Sequence, residues 1–147
     1  MNDILYIMFI SMLPIVELRG AIPIGLGLGV PLWEVLIFSI IGNLIPIIPI
    51  LVLFQPISKI FLRFKWYNKF YNWLHRRSLS KGKSKLDKYG AAGLFIFTAI
   101  PLPTTGAWTA SFIASFFGIK IKYSFIAITL GVIVAGIIVT IFSNVFL

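Results

Sequence analysis

The amino-acid sequence predicts an all-α polytopic membrane protein built from two inverted repeats. Three observations lead to this prediction. Of the 147 residues 59% are hydrophobic, the mean hydropathy is +1.01, and two apolar stretches with helix breakers alternate with two clean ones. Soluble globular domains are less apolar than this, and the chain has room for about four membrane segments. We therefore expect residues 1–147 to form a single membrane domain without a separate soluble domain.

The first segment, residues 4–30, carries charges and helix breakers at membrane depth. Glu17 and Arg19 are its only charged side chains, and two prolines and several glycines surround them. An ionised side chain inside the bilayer costs several kcal/mol unless it is paired or faces water. Irregular backbone at that depth must be buried in protein or line a wet cavity. The segment is therefore predicted to be a re-entrant helical hairpin beside an internal site.

The following residues complete the first repeat, which covers residues 1–54. Residues 32–54 are a clean apolar span, predicted to be one transmembrane helix with a proline kink. Residues 55–89 are basic, and their first part has apolar residues at three- and four-residue spacing. This pattern predicts an amphipathic helix in the cytoplasmic interface, beginning at residue 55, and then a polar linker over residues 80–85.

The second repeat covers residues 90–147 and has the same order of parts. Residues 90–117 are apolar but broken by prolines, which predicts a second re-entrant hairpin. Residues 123–147 are a second clean transmembrane span.

Glycines support the internal repeat, since Gly29 and Gly42 correspond to Gly118 and Gly131 at equal spacing. Two opposed hairpins that meet near the midplane of the bilayer are an inverted-repeat transporter plan.

The basic residues predict the topology. Ten of the thirteen Lys and Arg residues lie between Lys59 and Lys88, and the positive-inside rule places them in the cytoplasm. If each hairpin returns to its own side, Lys120 and Lys122 are also cytoplasmic and both termini lie outside. Anionic lipid headgroups account for basic residues next to a membrane span, so we expect lipid partners there and no nucleic acid.

Glu17 and Arg19 are the strongest candidates for a site. Arg19 has a planar fork that suits phosphate or carboxylate, and Glu17 can exchange protons. Gly20 follows them at the same turn. A mutual salt bridge that only neutralises the two charges is the alternative interpretation.

The second broken segment is uncharged, but Thr104, Thr105 and Thr109 offer hydroxyl groups around Gly106. The turn also frees backbone donors that can bind an anion. These threonines could instead cap the following helix. Asn43, a polar residue in the first clean span, is assigned either to a ligand contact or to a hydrogen bond between helices.

Several classes of function are not expected. The chain has no Cys and one His, so disulfides, thiol chemistry and a His/Cys metal site are excluded. No nucleophile, base and orienting group occur together, which predicts that the protein is not an enzyme. No cofactor is expected.

Two motifs resemble a known family. ELRGAIP at residues 17–23 and PLPTTGAWT at residues 101–109 are similar to the small multidrug export proteins of bacteria and archaea. That family looks like a distant branch of the DedA, or VTT-domain, superfamily. The resemblance implies two inverted re-entrant hairpins, each followed by a transmembrane helix, and a location in a prokaryotic inner or plasma membrane. Some superfamily members move polyprenyl phosphate or phospholipid across the bilayer.

The resemblance also implies roles for residues. Glu17 fits the acidic residue of the first hairpin. The second hairpin of the superfamily usually carries an arginine near its turn, which is uncharged here, and Arg19 is the residue that could take over that role.

Three functions follow in order of preference. The first is a transporter of an amphipathic anion such as a lipid phosphate, with Arg19 at the head group and Glu17 exchanging protons. The second is an exporter of lipophilic cations. The third is a membrane scaffold that does not transport. Self-association as a homodimer stays open.

Overall fold

The computed structural model describes residues 2–61, 63–79 and 83–147. These parts of the chain form eight α-helices and contain no strand, which confirms the all-α prediction. The helices are α1 (Asn2–Met12), α2 (Glu17–Gly27), α3 (Leu32–Leu44), α4 (Ile47–Phe61), α5 (Lys65–Leu79), α6 (Lys83–Ala99), α7 (Ala107–Phe117) and α8 (Ile121–Phe146).

Two helical stretches are long and apolar enough to cross a membrane. They are Leu32–Phe54, with 23 residues, and Ile121–Phe146, with 26 residues. The first stretch contains α3 and the start of α4, and its helical pattern lapses at residues 45–46. Pro46 and Pro49 have no N–H to donate, so the carbonyls four residues earlier lose their helical partners. The two clean spans of the sequence therefore correspond to α3 with α4 and to α8.

The basic connection differs from its expected boundaries. α4 continues to Phe61, and a new helix, α5, begins only at Lys65. α4 continues through residue 55, although Pro56 inside it has no N–H to donate, because the change from apolar to basic side chains does not alter the backbone. Of the expected linker, residues 80–82 lie outside the described residues, and residues 83–85 already belong to α6.

The turns that precede α3 and α8, the starts of the two membrane-crossing stretches, have the same conformation. Gly29 and Gly118 adopt φ angles of 80° and 68°, the left-handed region that favours glycine after a helix. The capping residues that follow, Pro31 and Lys120, have φ and ψ of −55° and 137°, and −54° and 136°. The glycines matched in the sequence thus occupy matched turns.

Close helix packing explains the second pair of glycines. A Cβ atom at Gly42 would overlap the backbone of Met8 in α1, and one at Gly131 would lie 2.6 Å from the Cβ of Thr98 in α6. α3 therefore packs on α1, and α8 packs on α6. Between the halves, α2 and α3 pack on α8, and α4 packs on α7. The turn between α1 and α2 and the turn between α6 and α7 are thereby joined to one core.

Candidate functional site

Glu17 is the first residue of α2 and lies beside the N-terminus of α7. It is only 6% exposed, and its carboxylate accepts a hydrogen bond from the backbone N–H of Trp108 at 3.4 Å, next to the amide of Ala107. A carboxylate at this position offsets the positive end of the helix dipole and meets amide donors that have no helical partner. Glu17 therefore caps a helix of the other half of the chain.

The backbone of Glu17 is strained in a way that serves this contact. Its φ is 52°, a left-handed conformation that costs a residue other than glycine about 1–3 kcal/mol. Such strain persists where surrounding structure overdetermines it, and it clusters at functional sites. Residues 13–16, the turn that precedes α2, form the first break.

Gly106 ends the second break, residues 100–106, and it touches Glu17. A Cβ atom at Gly106 would overlap the carboxylate of Glu17. The backbone of Gly106 is extended, with φ of 178°, so glycine is needed here for close approach and not for its conformational freedom. Gly106 was predicted as a ligand contact, and the structure places it against the protein's own carboxylate.

Arg19 also contacts the second break. Its Nη2 donates to Thr105 Oγ1 at 3.3 Å and to the carbonyl of Ile100 at 3.4 Å. Thr105 also closes the break itself, because its hydroxyl donates to the Ile100 carbonyl at 2.6 Å and accepts from the N–H of Leu102 at 3.1 Å. The threonine thus both shapes the turn and contacts the guanidinium group.

These contacts bear on the salt-bridge interpretation of Glu17 and Arg19. The hydrogen-bond partners that the described part of the chain gives to the two charged groups lie in the second break and at the start of α7. Each charged group of the first half therefore holds a different point of the second half, and together they tie the two breaks to each other.

A cleft of about 480 Å³ lies between the two breaks. Six of the eight predicted site residues line it: Glu17, Arg19, Gly20, Thr104, Thr105 and Thr109. Prolines of both breaks and the exposed side chain of Ile15 form its apolar part. The cleft therefore combines a guanidinium group, hydroxyl groups and an apolar rim.

Asn43 and Gly106, the other two predicted residues, line a narrow void behind the cleft, which is too small to hold a water molecule and which Glu17 and Arg19 also border. Asn43 is 1% exposed, and its Oδ1 has no hydrogen-bond partner in the described part of the chain. The Nε of Arg19 is likewise buried and unpaired there. A buried acceptor and a buried donor without partners thus border the same void, and each costs about 1–3 kcal/mol while it stays unpaired.

Trp108 has a role that the sequence did not predict. Its Nε1 donates to the carbonyl of Met12 at 3.1 Å, which is a free acceptor at the end of α1. The carbonyl of Ile100 was also missed. The residue before a proline is driven towards extended backbone, so the position before Pro101 was the available signal for a carbonyl that leaves the helix.

The fold and the site define an all-helical membrane protein in which two broken helical segments enclose a charged cleft. The sequence model of a family described as "Putative small multi-drug export protein" matches residues 17–138. The chain belongs to this family. Comparisons with curated proteins and with solved structures found no match. Among the described residues, no group of three or more His, Cys, Asp or Glu side chains is placed to hold a metal ion.

Proposed function

We propose that this protein is a membrane transporter, and not an enzyme, that carries an amphipathic anion of the lipid-phosphate class through the cleft between the two breaks. One observation carries the proposal. Glu17 and Arg19 both line the cleft, but Glu17 is only 6% exposed and its carboxylate is bonded to the α7 terminus, whereas Arg19 is half-buried. The charge more open to a ligand in the cleft is therefore positive.

The lining of the cleft supports an anion with an apolar part. Arg19 supplies a planar fork suited to phosphate oxygens, and Thr104 and Thr109 add exposed hydroxyl groups. Ile15 and Pro103 are exposed at the apolar rim. A phosphate on a hydrocarbon tail matches both parts of this surface.

Helix lengths support re-entrant hairpins in an inverted repeat. The helices α1, α2 and α7 have 11 residues each and reach only about 16 Å, whereas the hydrocarbon core is about 30 Å thick. The pair α1 and α2 can therefore enter and return on one side, and α7, the second arm of the other proposed hairpin, is too short to cross. The matched turns at Gly29 and Gly118 are further support, and this plan fits the DedA-type architecture that the motifs resemble.

Contacts at one end of the molecule support the proposed topology. The N–H of Lys120 donates to Asp87 at 3.4 Å, and the hydroxyl of Tyr67 donates to the carbonyl of Phe116 at 2.7 Å. The start of α8 therefore lies at the same end as the basic segment between Lys59 and Lys88. The positive-inside rule then assigns this end to the cytoplasm of a prokaryotic cell.

Glu17 is the proposed proton-exchanging group. Its carboxylate is the contact between the start of α2 and α7, so adding a proton removes the charge that complements the helix terminus. Loss of that attraction would loosen the two breaks from each other. This links protonation to opening of the cleft.

Export of lipophilic cations is the second candidate, and the family description favours it. In that case Glu17 has to leave the α7 terminus to meet the cation, close to the repelling charge of Arg19. The two candidates therefore predict opposite ligand preferences.

Thermal melting of the purified protein separates them. We expect stabilisation by polyprenyl phosphate and little effect of quaternary ammonium dyes, since a ligand at about one hundred times its dissociation constant adds roughly 2.7 kcal/mol. Arg19→Ala should remove the effect. Arg76→Ala, on an exposed arginine of α5, is the matched control and should retain it. Stabilisation by the dyes that is lost in Glu17→Gln would favour the cation exporter.

A further inference from the structure

A second cavity, of about 250 Å³, lies between α6 and α7 and is lined by apolar side chains and two glycines. Phe97, Ile113 and Phe117 form its walls, and Gly93 leaves it open to the exterior. A Cβ atom at Gly93 would meet no atom within 4 Å. We call this cavity the α6–α7 groove. It contains none of the residues that line the cleft between the breaks.

The repeat predicts no such groove in the first half of the chain. The spacing that relates Gly29 to Gly118 also relates Ile4 to Gly93. A branched side chain thus stands in α1 where α6 has none. The groove is a feature of the second half, whose end carries the basic residues.

A basic side chain follows the end of the groove at which α8 begins. Ile119 lines the groove, and the exposed Lys120 comes next in the chain. The N–H of Lys120 donates to Asp87, which holds this end to α6, and Asp87 is buried there. An apolar slot with an exposed ammonium group next to one end is complementary to an anionic amphiphile.

We propose that the α6–α7 groove binds one anionic phospholipid, with a segment of an acyl chain beside Gly93 and the phosphate headgroup near Lys120. The groove lies beside α8, a helix long and apolar enough to cross a membrane, so its surroundings supply lipid tails. The positive charge at its end selects anionic over zwitterionic headgroups. The proposal is independent of what the cleft transports.

Filling the groove tests the proposal. Gly93→Leu adds a side chain where there is free space and should leave the fold intact. Ala92→Leu is the matched control, because Ala92 is exposed on the same helix but does not line the groove. Native mass spectrometry and thermal melting would measure binding of phosphatidylglycerol and phosphatidylcholine with equal chains to the purified protein.

We expect the wild type to retain phosphatidylglycerol in preference to phosphatidylcholine. Gly93→Leu should weaken this binding by about tenfold, the effect of displacing about two methylene groups, and Ala92→Leu should not. Lys120→Gln should remove the preference between the two lipids. Equal binding by both leucine variants, or equal retention of both lipids by the wild type, would overturn the proposal. So would a lipid-free dimer that Gly93→Leu dissociates, because a second copy would then occupy the groove.

Discussion

The carboxylate of Glu17 rests against Gly106 so closely that any side chain on that glycine would overlap it. Glu17 begins α2, and Gly106 precedes α7, so this contact joins the two breaks of the chain. The backbone N–H of Trp108 completes it at 3.4 Å. Because the same two breaks form the walls of the cleft, any change in this contact should alter both stability and ligand binding.

Replacing Gly106 tests how closely the breaks must approach. Gly106→Ala should lower the free energy of unfolding by about 1–3 kcal/mol, the usual cost of overpacking a buried contact. Gly27→Ala is the control, because a Cβ there meets nothing within 4 Å, and a helical alanine should add about 0.5–1 kcal/mol. Thermal melting measures both variants. Equal stability of the two would contradict the assigned role of Gly106.

Substitutions of Glu17 separate its role as a helix cap from its proposed role as a proton carrier. Glu17→Ala should cost about 0.5–2 kcal/mol, as loss of a helix cap does, while Glu17→Gln keeps an oxygen acceptor and should cost less. Both should abolish the dependence of transport on a proton gradient. Transport in proteoliposomes with and without an imposed gradient is the measurement. Retained coupling in Glu17→Gln would leave Glu17 with a capping role alone.

Asn43 offers a test of a second state of the protein. Its unpaired Oδ1 and the unpaired Nε of Arg19 border one void, and we predict that they pair when the cleft changes shape during transport. Asn43→Leu removes the unpaired acceptor, a gain of about 1–3 kcal/mol in the free energy of unfolding, but it also overpacks a fully buried site at a cost of similar size, so the net change in stability should be small. It should also slow transport.

Ser39→Ala is the control for Asn43. Ser39 is also buried with an unpaired hydroxyl, but it does not line the void. Its removal should leave transport unchanged. If Asn43→Leu also transports at the wild-type rate, pairing with Arg19 plays no part in the cycle.

Cysteine labelling tests the topology, and a chain without native cysteine needs no background removal. We expect cysteines at positions 85 and 122 to react only with a cytoplasmic reagent, and one at position 2 only with an external reagent. The reason is that the start of α8 contacts the basic end through Asp87. External labelling of position 122 would rule out re-entrant hairpins and the inverted repeat.

The site was only partly predictable from the sequence. Glu17 and Arg19 stood out because charge at membrane depth is costly wherever it occurs. Their partners could not be predicted, since the bond from Trp108 to Glu17 joins residues 91 positions apart. The threonines and prolines of the second break could be predicted because polar residues and helix breakers stand out in an apolar segment. The sequence could not separate Thr105, whose hydroxyl bonds within the turn, from Thr104, which is exposed in the cleft.

The sequence by itself determined the membrane class, the two breaks, the clean spans and the basic end of the molecule. These depend on hydropathy, missing N–H groups and charge, which are local properties of the chain. Tertiary structure alone decided that Glu17 caps α7, that Gly42 packs on α1 and Gly131 on α6, and that Asn43 is left behind the cleft without a partner for its oxygen. Such outcomes depend on which distant surfaces pack together, and apolar sequences leave many packings open until side-chain shape selects one.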